Sequence, residues 1–368
     1  MKRIKILYIV PSLKLCNGVA SYAMNYYKNM NKDDIQIDFL ETANVHSEYF
    51  EEIKKSDGRV FSMERMNLKN FIREIKEIKR FFREHANEYQ IVHCNLVNSG
   101  LFFLHYAKKY KIKIRILHSH ATKYSDKFFK NIRNNILAYF TKKNANVYCA
   151  CSKLAGDYMF KGKNYKIINN AIDIDKFKYN QEKRDKIREL ENIKEDEYLI
   201  GNIGRLDPQK NQLFLIDIFY EYLKINKNAK LLLIGTGSLE EKIIDKIKKL
   251  NIENNVIMKK NLINVNEYLQ AIDIFLLPSI YEGLPVVGIE AQSAGVPCLF
   301  SDKITREIKV NDNIEFIALD NINSWITEIE KYRKKYVRIE TTDKIKERGY
   351  DIKIEALKLE EYYENIIK

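Results

Sequence analysis

Proline and glycine are scarce in this chain, with 5 Pro and 13 Gly in 368 residues, and that leaves little room for flexible linkers. Cysteine is scarce too. The five residues Cys16, Cys94, Cys149, Cys151 and Cys298 are scattered and odd in number, as expected in a reducing compartment. Cys149 and Cys151 have no second pair to complete a structural zinc site. Nowhere do eighteen apolar residues run together, so no segment is expected to span a membrane. The start, MKRIKILYIVPSLK, has no small-residue cleavage site and reads as a first strand rather than a signal peptide. No strand is followed by a full G-x-G-x-x-G, which disfavours a nicotinamide-dependent oxidoreductase.

Hydrophobic residues are plentiful at 45%, with 12% aromatics, enough for packed cores. The length suits two domains of about 150–200 residues each. Charge is unevenly shared: residues 1–180 hold 33 Lys and Arg against 17 Asp and Glu, and residues 101–170 hold 15 against 2. A one-sided field of this kind suits an anionic partner such as nucleic acid, a phospholipid surface or a phosphorylated lipid. Nucleic acid is not expected, because no stacking module or recognised fold accompanies the charge.

Strand-like runs alternate with helical patterns. Ile4 to Val10, IDFLET, RVFSM, Ile91 to Asn95, Lys113 to His120, Asn146 to Ser152 and Tyr165 to Ile172 form a first series. Leu68 to Tyr89 reads as one long amphipathic helix. Tyr198 to Gly204, Lys230 to Gly237, Asn255 to Lys260, Ile272 to Pro278 and a run from Val296 form a second series. Strands separated by helices imply parallel sheets with right-handed crossovers. Two Rossmann-like α/β domains are therefore expected, 1–177 and 178–349, with a helix over about 350–368 returning to the first. The ligands of such sheets bind beyond the carboxyl ends of the strands.

The most informative stretch is IDIFLLPSIYEGLPVVGIEAQSAGVPCLFS, Ile272 to Ser301. It reads as strand, turn, helix from Pro285, Gly295 and strand. Gly283 permits close approach of a ligand, and the helix start after Leu284 offers N–H groups to an anion. Glu282 and Glu290 bracket that anion site as acceptors for sugar or ribose hydroxyls. Earlier, Gly204 ends a strand and RLDPQKN follows, with Arg205 as a fork of donors and Lys210 as a point charge for phosphate. Gly235 and Gly237 form a turn that could approach a phosphate or ligand ring. Gly18, after Asn17, gives a tight turn after the first strand. His118 and His120 alternate onto one face, either as hydrogen-bonding imidazoles or, with His93 or Cys94, as a metal set.

Taken together, YEGLPVVGIEA with seven residues between Glu282 and Glu290, IGRLDPQKN, LLIGTGSLEEKI and INNAIDIDKF resemble the retaining GT-B glycosyltransferases of family 4, in the capsular and exopolysaccharide branch. Ala171 stands where that family usually has glycine, and CNGVAS lacks its double glycine. The resemblance implies transfer of a sugar from a nucleotide sugar, UDP-linked by family, to a saccharide acceptor that is lipid-linked. Arg205 and Lys210 would bind the donor diphosphate with the N–H groups around Gly283 and Leu284. Glu290 would hold the ribose and Glu282 the transferred sugar. His120 or His118 would lie against that sugar, Gly18 would contact donor phosphate or acceptor, and Gly204, Gly235 and Gly237 would line the donor site. No metal and no other cofactor would be needed. A cytoplasmic enzyme is implied, with the acid-free stretch Lys127 to Lys143 resting on an anionic leaflet. A sugar-nucleotide epimerase shares the two-domain plan but leaves the tandem GRLDPQKN and EGLP signals unexplained.

Overall fold

A computed structural model describes residues 3–368 except 16, 45–46, 121–127, 261, 263 and 336–337, and of 128–130 only the backbone. Cys16 and Lys127 thus lie outside the described residues. The chain forms two compact units, Met1–Ala171 with Ile352–Lys368, and Ile172–Asp351.

The first unit holds seven parallel strands: β1 (Ile4–Val10), β2 (Ile35–Glu41), β3 (Val60–Ser62), β4 (Ile91–Cys94), β5 (Ile114–Ser119), β6 (Val147–Ala150) and β7 (Lys166–Ile167). They stand in the order β3-β2-β1-β4-β5-β6-β7. β1 is apolar but for Lys5 near its start, because both faces of a parallel sheet are covered by helices. Its register sets Tyr8 opposite His93 on β4, and His93 opposite Ile116 on β5. One layer of the core joins Tyr8, Phe39 and Ile116 to Ile352, Leu359 and Tyr363 of the last helix, Ile352–Ile367.

Three expectations for this unit need correction. The long helix covers Phe71–His85 rather than Leu68 to Tyr89. Ahead of it, Asn67 Oδ1 accepts from the backbone of Lys69 at 2.8 Å, a side-chain turn that competes with helix. The strand expected over Tyr165 to Ile172 is only two residues long, an exposed sheet edge at Lys166–Ile167. Gly18 is not in a turn but is the first residue of the helix Gly18–Asn29, capped by Asn17 Oδ1 on the amides of Val19 and Ala20.

The second unit has six parallel strands: β8 (Tyr198–Ile203), β9 (Ala229–Ile234), β10 (Val256–Lys259), β11 (Ile274–Leu277), β12 (Cys298–Ser301) and β13 (Ile314–Ile317). Their order is β10-β9-β8-β11-β12-β13, with one core layer built on Ile200, Leu231, Ile274, Leu299 and Trp325. The units divide between Ala171 and Ile172, whereas the sequence placed the boundary at Phe177 to Tyr179. Ile172 pairs with Asp351 and donates its N–H to Tyr350 O at 2.9 Å. The charged helix Gln181–Leu190 is held in the second unit by Arg184 and Arg188, which pair with Asp273 at 2.6 and 3.3 Å.

Candidate active site

Two loops at the carboxyl ends of β8 and β9 interlock. A Cβ on Gly235 would strike Gly204 O, and one on Gly237 would strike Leu206 O. Gly235 also has a positive φ of 154°. Leu206 N donates to Thr236 O at 2.9 Å, and Leu239 N donates to Leu206 O at 3.0 Å. Glycine is therefore required at 235 and 237 so that one backbone can lie against the other. The effect is to hold the segment from Gly204 to Lys210 in one shape. Gln212 Nε2 adds a bond to Arg205 O at 2.9 Å.

From that segment Arg205 reaches out, half exposed, with one guanidinium nitrogen 3.1 Å from Asp207 Oδ2. Lys210 is buried, and its Nζ lies 2.6 Å from Glu282 Oε1. Gln209 joins the two loops: its Nε2 donates to Glu282 Oε2 at 3.2 Å and to Tyr281 O at 3.0 Å, while its own carbonyl accepts from Ile280 N at 2.8 Å. A buried ion pair is tolerated only when hydrogen bonds complete it, and Gln209 does so here.

Three residues after Glu282, Pro285 caps the helix Val286–Ser293, with Gly283 and Leu284 buried ahead of it. Proline at a helix start costs no hydrogen bond, and the first-turn amides carry the positive end of the helix dipole. Gly288 lets this helix pack against Ile308. The carboxylate of Glu290, further along, makes no hydrogen bond to the protein among the described residues. Although it keeps some exposed surface, burial pushes its carboxyl up to about 7.

Gly18, His118 and His120 belong to the first unit. The rings of His118 and His120 lie 4.0 Å apart between centroids, and Tyr22 packs against both. His93 Nε2 is 3.0 Å from His118 Nδ1, and His93 Nδ1 is 2.7 Å from the Tyr363 hydroxyl. His120 Nε2 is 2.8 Å from Asn95 Oδ1. Desolvation pushes His93 and His120 down to about 3 and His118 well below its usual value, so the three rings are neutral. Nothing lies within 4 Å of a Cβ placed on Gly18.

Comparison with known proteins fits this arrangement. Residues 16–176 match the model described as Glycosyltransferase Family 4, and residues 183–351 match Glycosyl transferases group 1. The chain belongs to the GT-B glycosyltransferases. It is 28% identical over 311 residues to EpsF of Bacillus subtilis, a glycosyltransferase by name, across 83% of this chain and 80% of that one. A Campylobacter jejuni relative is 27% identical over 263 residues, 65% of this chain and 69% of its own. That relative is named as an N-acetylgalactosaminyltransferase acting on a diphospho-undecaprenol-linked saccharide. The crystal structure of Anabaena HepE in complex with UDP-glucose shares the fold, with a TM-score of 0.80 and 16% identity over 99% of this chain and all of that one.

In this glycosyltransferase the second unit gathers Gly204, Arg205, Lys210, Gly235, Gly237, Glu282, Gly283 and Leu284 on neighbouring loops, with Glu290 on the helix that follows. Sequence reasoning missed Gln209, the neutral amide that ties Glu282 to the Arg205 loop, and Asp207, which pairs with Arg205. It also missed Asn95 and Tyr363, whose only sequence signal is a polar residue ending β4 and a tyrosine on an amphipathic helix. Among the described residues no three His, Cys, Asp or Glu side chains gather as a metal site, and no helix is long and apolar enough to cross a membrane. Cys94, Cys149, Cys151 and Cys298 are buried and form no disulfide among the described residues.

Proposed function

We propose that the enzyme transfers a sugar from a UDP-linked donor, with retention of anomeric configuration, to a lipid-linked saccharide in surface polysaccharide synthesis. The observation that carries this reading is the set Arg205, Lys210–Glu282 and Glu290 disposed about one helix start. Arg205 and Lys210 take the diphosphate, joined by the amides after Gly283. Glu290 is a desolvated carboxyl without a protein partner among the described residues, suited to accept from ribose hydroxyls. Glu282, held by Lys210 and Gln209, faces the transferred sugar. The sugar–diphosphate bond breaks as the acceptor oxygen bonds to the anomeric carbon on the same face, and the acceptor's proton passes to the leaving phosphate oxygen. Two fixed cations and a helix dipole stabilise the charge that develops, so a metal is not required.

The relatives' names support the acceptor class, and the UDP-glucose complex of HepE supports the nucleotide. The helix Phe128–Asn144 supports a place at the membrane surface. Among its described side chains Asn134, Ala138 and Thr141 are buried, while Ile132, Ile136, Tyr139 and Phe140 are exposed beside Arg133, Lys142 and Lys143. An apolar exposed face flanked by cations suits an anionic leaflet. Thermal-shift screening against UDP-, GDP- and ADP-sugars, followed by NMR of the product's anomeric signal, tests the proposal. Stabilisation by UDP-sugars and a retained anomer are expected; no response to any UDP-sugar, or an inverted product, would refute it.

A further inference from the structure

The first unit contains a string of buried polar groups with one open end. Tyr8 and Tyr363 hydroxyls are 2.5 Å apart, Tyr363 meets His93 Nδ1, and His93 Nε2 meets His118 Nδ1. His118 Nε2 is buried and has no hydrogen-bond partner among the described residues. Each link needs one proton, so the string can run in two directions.

If the protons point toward His118, Tyr8 donates to Tyr363, Tyr363 donates to His93, His93 donates to His118, and the one unpaired group of the string is His118 Nε2–H. If they point the other way, His118 Nε2 is left as a bare lone pair. The Tyr8 hydroxyl at the far end then also lacks an acceptor, whereas the Tyr22 hydroxyl, buried without a hydrogen bond among the described residues, is outside the string and the same in both directions. Within the string the first direction leaves one orphan and the second leaves two, so the first is preferred.

His120 is decided separately. Asn95 Nδ2 is 3.3 Å from Ile9 O and 3.4 Å from His93 O. Turning the amide over would set its oxygen against two carbonyls. Its oxygen therefore faces His120, whose Nε2 must carry the proton, leaving Nδ1 as an acceptor.

We propose that Tyr363, acting through His93, and Asn95 are positioning residues that set two stacked imidazoles to opposite tasks, His118 as an N–H donor and His120 as a lone-pair acceptor for hydroxyls of a sugar bound to the first unit. The last helix thereby fixes the chemistry of a residue more than two hundred positions earlier in the chain. This rests on the reading that these histidines lie against that sugar. A neutral donor–acceptor pair would recognise an alcohol oriented to give one hydrogen bond and receive another.

The test is ¹⁵N NMR of histidine-labelled full-length protein without substrate, where only six imidazoles need assignment. Nε2–H tautomers at His93, His118 and His120, unchanged over about pH 6 to 9, are expected. A proton on His118 Nδ1 would overturn the proposal whether or not any variant folds. Tyr363→Phe should leave His93 and His118 in mixed tautomers and lower kcat about tenfold with donor KM little changed, as when an outer partner behind a working imidazole is removed. Wild-type tautomers and kcat in that variant would also overturn it. His118→Ala and His120→Ala separate the two claims, since undiminished kcat in both would defeat the sugar-contact reading while the ¹⁵N pattern stood.

Discussion

Replacing Glu290 with glutamine should make the ligand-free enzyme more stable at alkaline pH. The carboxyl at 290 is raised by burial from 4.5 to about 7, and no protein donor among the described residues offsets that burial. Between those two values the folded protein holds a proton that the unfolded chain has released, so stability falls as pH rises. The full effect is present above the folded value and absent below about 4.5. A shift of this size is worth about 3 kcal/mol, and roughly 2 kcal/mol after discounting for the side chain's remaining exposure. Glu290→Gln keeps the shape and removes the charge. Its melting midpoint should exceed that of the parent by roughly 5 °C at about pH 8 and match it at about pH 4.5. Stabilisation by a UDP-sugar should shrink in the same variant, because an amide replaces a charged acceptor for ribose hydroxyls. Scanning fluorimetry across pH, with and without donor, reads both. A variant no more stable than its parent at alkaline pH would show that Glu290 is not both desolvated and unpartnered in the free protein.

Lys210→Met leaves Glu282 buried without its cation and should cost about 3 kcal/mol in urea melts, most of it recovered in Lys210→Met/Glu282→Gln, with activity absent from both. Gly235→Ala forces a Cβ onto the Gly204 carbonyl and should destabilise the second unit by about 2 kcal/mol or more. Gly18→Ala, at a helix start with open space around it, should be neutral or stabilise by about 0.5 kcal/mol in the same melts. Ile136→Asp with Phe140→Asp should leave the fold intact, because both side chains are exposed, yet abolish co-sedimentation with anionic liposomes at moderate salt; undiminished binding would detach that helix from the membrane.

Much of the fold was legible because parallel strands buried on both faces read as largely apolar runs. Ile4 to Val10 and Ile274 to Leu277 could hardly be anything else. What failed was local. At Leu68, helical periodicity carried on through a stretch where the side chains of Asn67 and Asn70 bond the backbone instead. At Tyr165 to Ile172, β-branched residues suggested a strand, but the sheet ends there and no further neighbour pairs with it. Charged site residues were visible because Arg205, Lys210, Glu282 and Glu290 fall in turns or on a helix directly after strands. Gln209 was not, since a neutral amide in a loop acquires its role only when Tyr281 and Glu282 come within reach. Tyr363 is still further from sequence reasoning: its partners His93 and Tyr8 are 270 and 355 residues away.

The account's central claim is that fixed cations and a helix start in the second unit grip a nucleotide's diphosphate without metal. Calorimetric titration of UDP into the full chain in excess EDTA tests it directly, with Arg205→Ala alongside. Saturable binding by the parent, weakened about tenfold or more in the variant through loss of a charge-assisted hydrogen bond, is expected. Equal binding by the two proteins, or binding that appears only when a divalent cation is restored, would contradict it.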